Sequence, residues 1–114
     1  MRLGEKQEIF MSSLAKLIVF AESKGFRCRG RELERTMEQQ EKYLRSGKSK
    51  TMNSNHLNSC AIDMYFSKDG KLVENKKDLQ EIGDYWESLH ERNRWGGNFK
   101  SFVDCPHFEF NSYD

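Results

Sequence analysis

Three residues able to hold a metal ion stand in unusual surroundings in this 114-residue chain: His56, Asp63 and His107. His56 falls in a polar stretch rich in Ser, Asn and Lys. Asp63 interrupts the mostly apolar run Cys60-Ala61-Ile62-Asp63-Met64-Tyr65-Phe66. A carboxylate in such a run needs a reason, because a buried charge is costly unless it is paired or bound to a metal. Two imidazoles and one carboxylate are a standard ligand set for a catalytic zinc, with the fourth position left to water. Zinc would lower the pKa of that water and polarise a substrate carbonyl. A nearby carboxylate that does not coordinate could act as general base. Asp104, three residues before His107, and Glu109, two after it, are both candidates. The chain has no HExxH, in which a helix fixes two ligands one turn apart. On spacing alone, ordinary polar residues therefore remain the alternative to a metal site.

These residues need elements to position them. Residues 5–24 read as a helix, with Phe10, Leu14, Leu17, Ile18 and Ala21 at three- and four-residue spacing and Gly25 as a stop. A short strand is expected over residues 26–29. A second helix starts at Thr36, which can cap it, and ends at Gly47. Residues 47–59 read as a loop. The run from Cys60 to Phe66 is a strand candidate, followed by a turn at Lys68-Asp69-Gly70 and a hairpin partner over residues 71–73. A third helix fits residues 77–91, with Leu79, Ile82, Trp86 and Leu89 on one face. Trp95-Gly96-Gly97 reads as a turn. His107-Phe108-Glu109-Phe110 alternates as a last strand, which puts His107 and Glu109 on one face. Helices come first and strands gather in the second half, so the expected class is α+β, with about three helices and a small antiparallel sheet.

Composition removes other classes. The length fits one domain, 1–114. A net charge of +1 gives no global field for nucleic acid. Residues 24–50 are locally basic, and could attract an anionic polymer or simply form a solvated face. Cys28, Cys60 and Cys105 are odd in number and show no CxxC pair, which argues against a disulfide framework and suits a reducing compartment. They read as small apolar residues. His90, in the third helix beside Glu91 and Arg92, reads as a surface residue. The apolar run at residues 14–21 is too short to span a bilayer and contains Lys16. No small-x-small site follows it, so neither a membrane span nor a signal peptide is expected.

Ser54-Asn55-His56-Leu57-Asn58-Ser59-Cys60-Ala61-Ile62-Asp63 resembles the SxHxxGxAxD motif of the zinc D-Ala-D-Ala carboxypeptidase and L-alanyl-D-glutamate peptidase family, related in fold to the hedgehog domain. Asp104-Cys105-Pro106-His107 resembles its closing motif, and Trp95-Gly96-Gly97-Asn98-Phe99 the segment before that. Arg35-Thr36 with Glu38-Gln39-Gln40 is similar to the family's Arg-Ser/Thr…Gln segment. The opening helix resembles that of small phage and prophage endolysins. The resemblance covers residues 35–110. It implies that His56, Asp63 and His107 bind Zn2+, that Asp104 is the general base, and that Arg35 donates to the substrate carbonyl. Ser54 and Glu109 would support the ligands. It further implies an endopeptidase cutting peptidoglycan stem peptides, most simply between L-alanine and D-glutamate. Such a lysis enzyme would be monomeric, stay in the host cytoplasm, and reach the wall with a holin's help. A D-Ala-D-Ala carboxypeptidase or dipeptidase would share the zinc set, and a non-catalytic zinc module is the remaining reading. One position departs from the motif: Ser59 replaces a glycine that would permit an unusual backbone angle or a close approach. Cys105, beside the candidate base, reads as a spacer.

Overall fold

Phe10, Leu14, Leu17 and Ala21 are all buried, as an amphipathic opening helix requires. That helix, α1 (Leu3–Ser23), is described with the rest of the chain in a computed structural model covering residues 1–48 and 54–114. Of the polar stretch read as a loop, residues 49–53 lie outside the described residues. The remaining elements are β1 (Arg27–Arg31), α2 (Met37–Ser46), a 3-10 turn (Asn55–Asn58), β2 (Ala61–Lys68) and β3 (Lys71–Val73). They continue with α3 (Lys76–Ser88), β4 (Asn93–Trp95), a second 3-10 turn (Gly96–Asn98) and β5 (His107–Phe110). Three helices and a small antiparallel sheet are the expected class.

The strand order is β1-β2-β5-β4, with β3 pairing the far end of β2. Every pairing is antiparallel. Alternation along β2 sends Ile62, Met64 and Phe66 into the core, beneath α1 and α3. Asp63, Tyr65 and Ser67 therefore project from the opposite face. In β5, Phe108 and Phe110 join the core, while His107 and Glu109 share the face of Asp63. Aromatic edges lock the core side: Trp86 meets Phe10 and Phe108 at 5.7 Å each, and Phe66 meets Phe108 at 5.8 Å. The Trp86 indole N–H is not stranded, since it donates to the carbonyls of Arg94 and Glu109. Helices thus cover one face of the sheet, and the polar residues line the other.

Thr36 caps α2 through a reciprocal pair. Its hydroxyl accepts from the Gln39 N–H, and the Gln39 side chain accepts from the Thr36 N–H. Other elements differ from the sequence reading. The strand expected over residues 26–29 forms as β1 between α1 and α2, shifted to Arg27–Arg31. The third helix stops at Ser88, so His90 lies beyond it, its ring 4.9 Å from that of Phe110 and its Nδ1 accepting from the Arg92 N–H. Asn93-Arg94-Trp95 is a strand rather than the approach to a turn, since it pairs with β5. The region around His56 is a 3-10 turn, opened by the Ser54 hydroxyl accepting from the His56 N–H at 3.2 Å.

That turn closes at Ser59, whose φ of 54° lies in the left-handed region. This is the position where the motif carries glycine. A non-glycine residue in this conformation costs roughly 1–2 kcal/mol. Ser59→Gly should therefore stabilise the protein by about 0.5–1 kcal/mol, once glycine's greater unfolded-state freedom is deducted. Calorimetry should show a melting temperature higher by about 2–4 °C. An unchanged or lower value would mean that the serine conformation is not strained.

Candidate metal centre

Asp63 and His107 are directly opposed in the β2–β5 register, and His56 enters from the 3-10 turn that leads into β2. One ligand atom from each lies within 4.8 Å of the others. The Asp63 Oδ1 is 3.3 Å from His56 Nε2 and 3.9 Å from His107 Nδ1.

Each imidazole has its proton fixed on the side away from this cluster. His56 Nδ1 faces the backbone carbonyl of Glu32, which can only accept, so Nδ1 carries the proton and Nε2 presents a lone pair. His107 Nε2 lies 2.6 Å from Glu109 Oε1 and donates to it, which leaves the His107 Nδ1 lone pair turned towards Asp63. Glu109 is clamped in turn by Arg94, whose Nε donates to Oε2 at 2.6 Å. This arrangement of a carboxylate or carbonyl behind each imidazole is how metal-binding histidines are oriented.

The result is two lone pairs and a carboxylate converging with no proton between them. His56 is 1% exposed, and its Nε2 is a buried polar atom without a hydrogen-bond donor. Buried polar atoms are nearly always satisfied, and a cation in this position would satisfy all three at once. The donor set of two nitrogens and one oxygen fits a divalent metal of the zinc type.

Charge around the cluster is finely divided. Burial pushes the Asp63 carboxyl upwards, but a hydrogen bond and positive charge from His56 and positive charge from His107, whenever those rings are protonated, together with Arg35 outweigh it and hold the group below the usual carboxylate range. Glu109 is likewise held low: burial raises it, and His107 and Arg94 more than offset that. Asp104 goes the other way. Burial, with help from the Asp63 charge, keeps it above the usual range despite His107, His56 and Arg35.

Asp104 is positioned by backbone. Its N–H donates to the Gly96 carbonyl at 2.9 Å, and its carbonyl accepts from the His107 N–H at 3.0 Å. The close fit explains the glycine pair after Trp95. A Cβ on Gly96 would stand 2.1 Å from the Asp104 carbonyl oxygen and 2.8 Å from the His107 Cβ. A Cβ on Gly97 would stand 2.2 Å from the Trp95 ring. Trp95 itself donates its indole N–H to the Cys105 carbonyl, tying the same loop to β4.

Arg35 is 8% exposed and closely held. Its guanidinium donates to Gln40 at 2.7 Å and Glu32 at 3.1 Å, and lies 4.6 Å from the Tyr43 ring centroid. Its buried Nε has no acceptor among the described residues. Ser54 caps the turn that carries His56. Cys105 is a partly buried free thiol, and none of the three cysteines is paired.

Sequence reasoning did not single out Glu32 or Arg94. The role of Glu32 rests partly on a main-chain carbonyl, which leaves no trace in residue type. Arg94 acts through register, since it lies opposite Glu109, and only knowledge of β4 would have exposed it.

A family profile described as D-alanyl-D-alanine carboxypeptidase, of the peptidase M15 group, matches residues 47–110. The chain belongs to this peptidase family. The match includes His56, Asp63, Asp104 and His107. The L-alanyl-D-glutamate peptidase of Listeria phage A118 is 37% identical over 98 residues, which is 84% of this chain and 34% of that protein. The chain thus spans about a third of the curated relative it matches. The crystal structure of the Serratia marcescens L-Ala D-Glu endopeptidase ChiX superposes with a TM-score of 0.68 at 24% identity, covering 96% of this chain and 86% of that one. That likeness establishes the shared fold. Among the described residues, no helix is long and apolar enough to cross a membrane.

Proposed function

We propose that residues 1–114 form one zinc-dependent peptidase domain that hydrolyses the L-alanyl–D-glutamate bond of bacterial peptidoglycan. The observation that carries this reading is the convergence of His56 Nε2, His107 Nδ1 and Asp63 with every imidazole proton turned away. His56, Asp63 and His107 would hold the metal, which supplies Lewis-acid polarisation of the scissile carbonyl and an acidified water. Asp104, half-buried and of raised pKa, would take the proton from the attacking water and later pass it to the leaving amine. Arg35 places fixed positive charge beside the site, where it acts on Asp63 and would stabilise negative charge developing on a substrate carbonyl oxygen. Glu109, held by Arg94, fixes the His107 tautomer, and Ser54 fixes the turn that presents His56.

The name of the phage relative supports the choice of bond, and its phage origin fits a role in lysis of a bacterial host. In that role the protein works as a monomer, remains in the cytoplasm while the phage develops, and depends on a holin for access to the wall. A digest of purified Gram-negative peptidoglycan, with and without chelator, tests the reaction. Mass spectrometry should find new amino-terminal D-glutamate, lost on chelation and restored by zinc. Released D-alanine would instead make the protein a carboxypeptidase. Full metal occupancy without cleavage would make it a non-catalytic zinc module.

A further inference from the structure

The open face of the sheet does not end at the metal cluster. In the β1–β2 register, Arg31 lies opposite Asp63, Arg29 opposite Tyr65, and Arg27 opposite Ser67. Opposed residues of an antiparallel pair project from the same face, so all three arginines stand on the face that carries Asp63 and His107. All three are exposed. None makes an ion pair among the described residues, although the chain holds 18 acidic residues. Even Arg31, directly across from the Asp63 carboxylate, is not bonded to it. Its guanidinium stands 6.0 Å from the Tyr65 ring centroid instead, along the sheet. Tyr65 in turn forms one wall of a cavity with Val103, Asp104, Cys105 and Pro106. The arginines and the candidate base therefore share one surface, joined by Tyr65. Three like charges on alternate positions of an edge strand repel one another, at intervals of about 7 Å. An anionic ligand would relieve that repulsion.

The substrate class of the peptidase reading supplies such a ligand. A glutamate within a peptide keeps one free carboxylate, whichever of its two carboxyls continues the chain. We infer that Arg31 and Arg29 bind the free carboxylate of the acidic residue beside the scissile bond, and so set the enzyme's preference for a glutamyl over a neutral residue. This inference rests on the peptidase reading above. Arg31 is the nearer of the two, one strand away from Asp63. Arg29 follows about 7 Å along β1, within reach of the same carboxylate for a side chain of its length. Arginine suits the task, because its planar fork meets a carboxylate with two parallel hydrogen bonds.

The test uses the zinc-loaded protein and two synthetic stem peptides, one with glutamate beside the scissile bond and one with its free carboxylate amidated. Wild-type protein should cleave the acidic peptide with a KM lower by roughly tenfold, the worth of one good charge-assisted contact. In Arg29→Gln/Arg31→Gln the KM for the acidic peptide should rise to that of the amidated one, with saturated turnover within about twofold. Equilibrium binding of the uncleaved acidic peptide should weaken in parallel. Arg27→Gln removes the same charge farther along the strand and should leave the preference intact. The inference is overturned if the double variant still discriminates between the peptides, or if Arg27→Gln erases the preference equally, which would indicate a diffuse basic field. Absence of cleavage by the wild-type protein on either peptide would instead remove the peptidase reading, and this inference with it.

Discussion

His56→Ala should leave a folded protein that neither retains zinc nor hydrolyses peptidoglycan. The imidazole contributes one of three ligand atoms, and catalytic zinc sites keep three protein ligands. The two that remain, Asp63 and His107, face each other across β2 and β5 and offer no third donor on the side of the 3-10 turn. The side chain is buried, so its removal also leaves a cavity and an unpaired Glu32 carbonyl, together costing about 2–4 kcal/mol. Stability and metal loss must therefore be separated. If the cluster holds zinc in the native state, added zinc should raise the melting temperature of wild-type protein. The variant should show a native circular-dichroism spectrum, a lower melting temperature that no longer responds to zinc, and less than stoichiometric metal after dialysis. Full occupancy with retained turnover would remove His56 from the ligand set.

Much of this site could be read from residue types because its members contradict their surroundings. Asp63 is the one charge in the run from Cys60 to Phe66, and His107 begins a strand whose alternation puts Glu109 beside it. Both observations use only the two-residue period of extended chain. The structure places the pair as that period requires, with His107 Nε2 at 2.6 Å from Glu109. Thr36 was also legible as the cap of α2, although the answering bond from Gln39 emerged only in the structure. What escaped is long-range. Asn93-Arg94-Trp95 is too short to show a period, and the glycines after it signal a turn. Only pairing with β5 makes it a strand and sets Arg94 behind Glu109. Glu32 escaped for another reason. Its backbone carbonyl holds His56 while its carboxylate holds Arg35 and Tyr43, so one residue serves both the ligand and the arginine through different atoms.

The two glycines after Trp95 connect fold and site. Gly96 lets the loop bearing Asp104 approach β4, and Gly97 lies flat against the Trp95 ring. Neither has a positive φ, so close approach rather than backbone freedom requires them. The helices behind the sheet serve the same end. By covering the face that carries Phe66, Phe108 and Phe110, they leave the other face free to hold charged side chains in fixed register. The candidate metal ligands thus come from strand backbone and one capped turn, which position side chains more rigidly than long loops do.

Asp104→Asn should retain zinc but lose about 10²–10⁴-fold in turnover. The substitution conserves shape, and the backbone contacts that hold the loop, to Gly96 and His107, do not involve the side chain. Asp104 is outside the His56–Asp63–His107 cluster, so occupancy and zinc-dependent melting should match wild type. An amide cannot take a proton from water at neutral pH, which isolates the base from the ligands. The sign of the pH dependence follows from the same role. A general base must be ionised, so wild-type turnover should fall as pH drops towards the Asp104 pKa, which burial sets above the usual carboxylate range. The comparison should be made over the interval in which metal content is constant, because protonated histidines release zinc at lower pH. Within that interval the variant should show low, nearly level activity. Turnover within a few fold of wild type would assign the base elsewhere, with Glu109, the carboxylate beside His107, as the alternative. Glu109 is already committed to His107 and Arg94, and its pKa is held low, so proton transfer from water to Glu109 would be both geometrically blocked and uphill.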